Sequence, residues 1–309
     1  MNCEVKSQTI IREIYRKLAQ VWGPQHWWPA ETPWEVIVGA ILTQNTSWSN
    51  VERAIAALRA ADTLNMRALR AVPMAELEQL IRPSGYFRQK AVRLKEFVAF
   101  VDRKYGGSLE KMLARPTAEL RKELLALKGI GPETADSILL YAGQHPIFVV
   151  DAYTRRVMER HGAVAANAKY DHVRELVESA LRDEACIANE ACSGAPVVHV
   201  PTSMSSAPRT PQAQVYNEMH GLFVQLGKHY CAKKKPNCDR CPLGTMLEQP
   251  LSHLEQAKSK KNNRLRSERH PKKRPRQSYK QSYNKLRQKL KLQYILWVNI
   301  FSSQYQASG

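Results

Sequence analysis

Apolar positions along the chain recur with a helical period. Between Val5 and Trp22, the residues Ile10, Ile11, Ile14, Leu18 and Val21 fall three and four apart, forming one stripe on one face of a helix. Trp34 to Leu42 is apolar all round, which predicts a helix buried at a domain centre. Val51, Ala54, Ile55 and Leu58 give a second stripe, and Pro73 is placed to open a short helix carrying Leu77, Leu80 and Ile81. Leu94, Phe97, Val98 and Val101 mark a longer helix that Gly106-Gly107 would stop. Further helices are predicted over 117–126, 132–142, 152–161, 169–184 and 212–229. There is no alternating strand pattern and no internal repeat, so the predicted fold class is all-α.

Two segments break the helical pattern. Residues 186–211 carry Pro196, Pro201, Pro208 and Pro211 among serine and alanine, and are expected to form a flexible insertion. After Leu243 the composition turns abruptly to Lys, Arg, Gln and Ser, so 244–309 is expected to be a basic low-complexity tail without order of its own.

Charge adds a partner class. The 309 residues are 43% hydrophobic, ordinary for a globular protein, but the net charge is +19 and the pI near 9.8. Such a cation matches a polyanion, nucleic acid or an anionic membrane surface. Fourteen of those charges come from Lys258–Lys291, with fifteen Lys or Arg against the single acid Glu268, leaving a body near +5. The tail lacks the amphipathic stripe of a membrane anchor. No apolar run approaches the roughly 18–20 residues of a membrane span. Glu4 stands where a signal peptide would build its charged and apolar regions, so the expected location is cytoplasmic at the nucleoid, or nuclear, not secreted. Three of the six cysteines cluster, which in a reducing compartment favours a metal site over disulfides.

The sharpest motif is Leu127-Lys128-Gly129-Ile130-Gly131-Pro132-Glu133-Thr134-Ala135, set between two helical stretches. Gly129 and Gly131 would permit a tight hairpin and close approach, and Pro132 suits the first turn of the next helix. The open N–H groups there, with the positive end of that helix, make a phosphate cradle. About twenty residues on, Phe148-Val149-Val150 delivers Asp151 to the start of a helix, as an N-cap, a reactive carboxylate, or both.

These two motifs together, LxGxGxxTA and VDAYTRRV, resemble the helix-hairpin-helix DNA glycosylase superfamily of endonuclease III, over about residues 8–243. The resemblance implies two helical subdomains flanking a DNA-binding cleft: 24–143 with the hairpin, and 1–23 with 144–243. It also implies that Asp151 is the catalytic carboxylate and that Lys128, Gly129, Ile130, Gly131 and Thr134 form the phosphate-binding hairpin. Bifunctional members carry a lysine in the hairpin's second helix that forms a Schiff base. Glu133 stands at that position and cannot form an imine, which points to base release without AP lyase cleavage; on its own, Glu133 is expected to be a solvent-facing acid favouring the helix dipole. Trp27-Trp28-Pro29 and the Gln44-Asn45-Thr46 turn before Trp48 are similar to the subgroup that removes 3-methyladenine. There Trp27, Trp28 and Trp48 would line the base pocket, since an extruded alkylated purine needs flat π-faces, and Gln44 would enter the duplex gap. The partner implied is double-stranded DNA with a damaged base, and the enzyme a monomer. A bifunctional glycosylase and a non-catalytic DNA-binding protein are the competing readings.

Cys231, six residues, Cys238, two residues, Cys241 is close to that family's 4Fe–4S signature, but the fourth position falls on Leu247. Cys186 or Cys192 folding back, a zinc site completed by His229, and a loop without metal all remain open. The foreign composition beyond this point fits either an appended DNA-attachment tail or a changed reading frame.

Overall fold

The structure is a computed structural model and describes residues 3–184 and 199–247, all within one compact unit spanning 1–252. Cys186, Cys192, the first part of the 186–211 segment and the tail beyond Leu247 lie outside the described residues.

Among the described residues there are helices and no strand, as the periodicity predicts. Helix α1 (Cys3–Trp22) buries Ile11, Ile14, Tyr15, Leu18 and Trp22. Val21, taken as part of the stripe, points outward at 39% exposure, because the buried face follows 11, 14, 15, 18 and 22. Helix α2 (Pro33–Leu42) begins where Thr32 Oγ1 accepts the Glu35 N–H at 3.1 Å, and every residue from Trp34 on is buried. Around it lie α3 (Trp48–Ala60), α4 (Met66–Ala71), α5 (Met74–Leu80), α6 (Phe87–Tyr105), α7 (Leu109–Leu113) and α8 (Thr117–Leu125). Gly106 ends α6 in a left-handed conformation, as expected. The short helices α4 and α7 were not predicted; they are specified by the caps Asn65 and Ser108, not by any periodic stripe.

Helix α9 (Pro132–Ser137) runs directly into a wider π-helical turn, Ile138–Ala142, and both pack on α2. Arg121 of α8 grips the fully buried Asp136 of α9 with two bonds of 2.7 and 3.1 Å, tying the hairpin's helices together. Helix α10 (Ala152–Arg160) packs on α12 (Pro211–His229), and α1 packs on both α11 (Tyr170–Ala180) and α12. Helix α12 also meets the π-helical turn, so the two groups of helices share one core. Residues 199–210 are part of this core's edge: Met204 is buried and its N–H donates to Ala30 O at 3.1 Å, while Thr202 Oγ1 accepts from Ala30 N–H. No helix among the described residues is long and apolar enough to cross a membrane.

Candidate active site

A cleft of about 900 Å³ opens where α2, α9, α10 and α12 converge. Trp27, Trp28, Gln44, Trp48, Glu133 and Asp151 all line it, and Gly129 and Thr134 border it. Residues spread over 125 positions of sequence therefore meet at one place. Trp34 does not; it is core, 4% exposed and packed against Phe97.

Asp151 caps α10. Its Oδ1 accepts the Thr154 N–H at 2.7 Å, which leaves Oδ2 toward the cleft, 3.7 Å from His220 Nε2. Its helix is fastened by the arginines that follow. Arg155 donates to Ala168 O at 2.7 Å, and Arg156 donates to Cys231 O at 2.6 Å and Gly227 O at 3.2 Å. Arg160 adds Ala232 O at 2.8 Å. The basic residues of the VDAYTRRV motif thus satisfy backbone carbonyls and hold the carboxylate's helix in place.

Glu133 is solvent-exposed, as the first turn of a helix suggests, and it stands where the cleft that Asp151 also lines opens to water. Water reaches it there, yet the enclosing protein first and the charge of Asp151 second push its pKa up to about 7. A carboxyl group with a raised pKa therefore shares the cleft with the capping aspartate.

The three tryptophans form one cluster. Trp28 meets Trp48 edge to face at 4.9 Å and Trp27 edge to face at 5.5 Å, and Trp27 and Trp48 lie tilted to one another at 6.2 Å. Trp28 rests on α2 at Gly39, where a Cβ would come within 3.3 Å of the indole. Trp48 is the more open of the three.

In the hairpin, Gly129 has φ +83 and an added Cβ would collide with Arg93. Gly131 differs from the expectation: its backbone is extended and a Cβ there would meet nothing. Its lack of a side chain leaves open space in front of α9, while the fold itself does not demand glycine. Ile130 is the buried anchor of the loop, and Lys128 is exposed. Gln44 is held to the hairpin: its amide donates to Gly129 O at 3.0 Å and Thr134 Oγ1 at 2.9 Å, and its oxygen accepts from Arg93.

Three contributors escaped the sequence reading. His220 and Lys228 reach the cleft from α12, and Lys228 stands 5.7 Å over the Trp27 ring. A helical row through Tyr216, His220, Val224 and Lys228 was available as a signal, since these lie four apart on one face. The third is Lys90, fully enclosed, donating to Leu42 O at 2.8 Å and Ser84 O at 2.7 Å. It closes the C-terminus of α2 and so sets where the Gln44 turn begins.

The cysteine loop is a partial match to its expected chemistry. Cys231 and Cys238 are buried, Cys241 is half-buried, and all three are free thiols. Burial, and the presence of the other two sulfurs, hold the Cys241 thiol up at about 11. The fourth place is Leu247, and among the described residues no three of His, Cys, Asp and Glu are arranged to hold a metal ion. The residues described do not complete a four-thiolate cluster, nor a zinc site with His229.

The comparisons with known proteins agree with this architecture. The profile of the HhH-GPD superfamily of base excision DNA repair proteins matches residues 38–183. A Methanocaldococcus jannaschii protein named "Putative DNA repair glycosylase MJ1434" is 42% identical over 235 residues, 76% of this chain and 94% of its own length. Endonuclease III of Thermotoga maritima is 25% identical, over 77% of this chain and 92% of the relative. The H. pylori 3-methyladenine DNA glycosylase MagIII, solved bound to 1,N6-ethenoadenine, superposes with a TM-score of 0.56 at 28% identity, covering 72% of this chain and 97% of that one. The chain belongs to the HhH-GPD superfamily and is a base excision repair DNA glycosylase.

Proposed function

We propose that this glycosylase hydrolyses the N-glycosidic bond of alkylated purines flipped out of duplex DNA, and does not cleave the strand. The observation that carries the reading is the composition of the cleft: a capping aspartate with one free oxygen, a tryptophan cluster, and an acid where a Schiff-base lysine would stand. Asp151 Oδ2 would accept a proton from the attacking water and lower the energy of the cationic sugar as the base departs. Trp27, Trp28 and Trp48 would supply faces for an electron-poor purine, and Lys128 with the hairpin N–H groups would take a phosphate. For Gln44 to enter the duplex gap, its three bonds to the hairpin and Arg93 have to be released, so insertion would be coupled to DNA binding. The enzyme would act as a monomer.

A second reading has its own support. Lys228 lines the same cleft at its mouth, and partial enclosure by the neighbouring protein lowers its pKa despite the opposing pull of Glu52 and Asp151, although its side chain stays exposed. An amine so placed is the one candidate from the described cleft for a lyase step. The described cysteine loop offers three thiols, Cys231, Cys238 and Cys241, toward a 4Fe–4S cluster, and iron and sulfide assays on anaerobically purified full-length protein decide its presence.

The test is incubation with duplexes carrying one methylated purine, oxidised pyrimidine, uracil or thymine opposite guanine, read with and without alkali. Base loss seen only after alkali, on the methylated purine, and abolished by Asp151→Asn is the expected result. Direct breaks with borohydride trapping, lost in Lys228→Ala, would replace this reading by the lyase one.

A further inference from the structure

Beside Asp151 lies a buried polar chain. The Tyr141 hydroxyl and His220 Nδ1 are 2.6 Å apart, and His220 Nε2 is 3.7 Å from Asp151 Oδ2. Tyr141 is 1% and His220 4% exposed, and His220 Nε2 is buried without a hydrogen-bond partner. Tyr141 reaches this position from the π-helical turn, whose wider winding carries it toward α12. An isolated phenol proton in such a place needs an acceptor, and Nδ1 is the one it has.

We propose that His220 is a positioning residue for Asp151: Tyr141 donates to Nδ1 and so fixes the neutral imidazole with its proton on Nε2, facing Oδ2. The opposite tautomer would turn a lone pair toward a carboxylate in a low-dielectric site, two acceptors face to face. In the free enzyme the gap is longer than a hydrogen bond, and a movement of roughly 0.7 Å closes it. With Oδ1 already spent on the α10 cap, that N–H is what aims Oδ2 into the cleft. Burial holds the imidazole below its ordinary pKa, so it is neutral at pH 7 and serves as donor without adding charge. Asp151 also faces Glu133, Tyr141, Tyr153 and Lys228; of these, Glu133 titrates near neutrality.

The inference rests on the proposed role of Asp151, and two kinds of measurement keep the two apart. The first needs no substrate: 15N NMR of His220 in the full-length free protein should show the Nε2-protonated neutral form, shifting toward a tautomer mixture in Tyr141→Phe and moving in Asp151→Asn. The second is single-turnover excision from pH 4.5 to 9 in a Glu133→Gln background, which removes the competing carboxyl. There His220→Ala should raise the acid limb by about one unit and slow excision roughly tenfold below it, the scale of one hydrogen bond to a charged group. His220→Gln, whose amide nitrogen falls near Nε2, should restore the limb. An Nδ1-protonated imidazole, or an acid limb unmoved by His220→Ala while Asp151→Asn is inactive, overturns the proposal. Full activity of Asp151→Asn instead overturns the reading of the site and leaves the tautomer result standing as its own fact. Thermal melting of His220→Gln and His220→Ala separates lost folding from lost positioning, because a folding defect lowers the whole profile without moving its limb.

Discussion

Arg121→Met should be the most destabilising single change near the hairpin, and its size follows from burial. Asp136 is fully enclosed, and Arg121, 17% exposed, gives it two bonds, from Nε and Nη2, while the same Nη2 also reaches the more open Asp171. Removing one partner of a buried pair leaves a charge without compensation, at a cost of about 3–5 kcal/mol. Tyr170 and Arg174 also face the carboxylate, which argues for the lower part of that range. In a unit of this size such a loss lowers Tm by roughly 6–20 °C. Burial already pushes the Asp136 pKa above its ordinary value even with Arg121 in contact. Without the arginine it rises further, so the folded state binds a proton that the unfolded state does not. Stability is then fully present at low pH and lost as pH rises through the folded pKa, so the variant's deficit should be smaller at pH 5 than at pH 8. Circular-dichroism melts and urea titrations of wild type, Arg121→Met and Arg121→Met/Asp136→Leu at both pH values measure this. The double variant should recover most of the loss, since an apolar replacement removes the stranded charge. A deficit under about 1 kcal/mol, or a double variant worse than the single, would refute the reasoning.

Glu133→Gln should stabilise the protein at pH 8 and leave it unchanged at pH 4. A glutamate raised to about 7 contributes stability below its unfolded pKa that disappears as pH rises through 7, and solvent access through the cleft trims the gain to roughly 1 kcal/mol; parallel melts read the difference. Glu133→Lys puts an amine beside Asp151, and borohydride should then trap it on abasic DNA where the wild type is not trapped. Trp48→Ala, removing the most open ring of the cluster, should slow excision of methylated purines about 5- to 150-fold in single-turnover assays, with Tm shifted little because the ring is only partly buried.

The helices with long apolar stripes were legible because burial itself writes the 3.6-residue period; α2, apolar on every side, announced that it lies at the centre. Helices α4 and α7 were not, since five or six residues hold too few apolar positions to show a period and their formation depends on a capping side chain. In the cleft, Asp151, the tryptophans and the hairpin were visible as local motifs. The environment of Glu133 was not, because its neighbour Asp151 is eighteen positions away and only the packing of α9 against α10 brings the two carboxyls together. Lys90 was hidden for the same kind of reason. A lysine reads as a surface residue until the fold closes over it and supplies two carbonyls, and burial then lowers its pKa to about 8.

The row on α12 shows how the cleft handles its charge. One helical turn separates each of Tyr216, His220, Val224 and Lys228, and the row passes from the interior to the cleft's mouth: the first three are buried and Lys228 is exposed. A charged lysine at the depth of His220 would pair with Asp151 and occupy the oxygen to which the proposed mechanism assigns the attacking water. A neutral imidazole there, in the proposed positioning role, would orient the carboxylate without adding a charge of its own. At the mouth, where water screens it, the Lys228 ammonium offsets Asp151 at longer range and rests on Trp27. Glu133 then decides the balance. Protonated, it leaves the cleft with one carboxylate and one ammonium; ionised, it adds a second negative charge that repels both Asp151 and an incoming phosphate. DNA binding, by placing phosphates on the hairpin next to Glu133 and excluding water, should favour the protonated form. The affinity for duplex DNA should therefore fall above pH 7 in the wild type and not in Glu133→Gln, a difference that fluorescence anisotropy across pH 6 to 9 at fixed salt would show or deny.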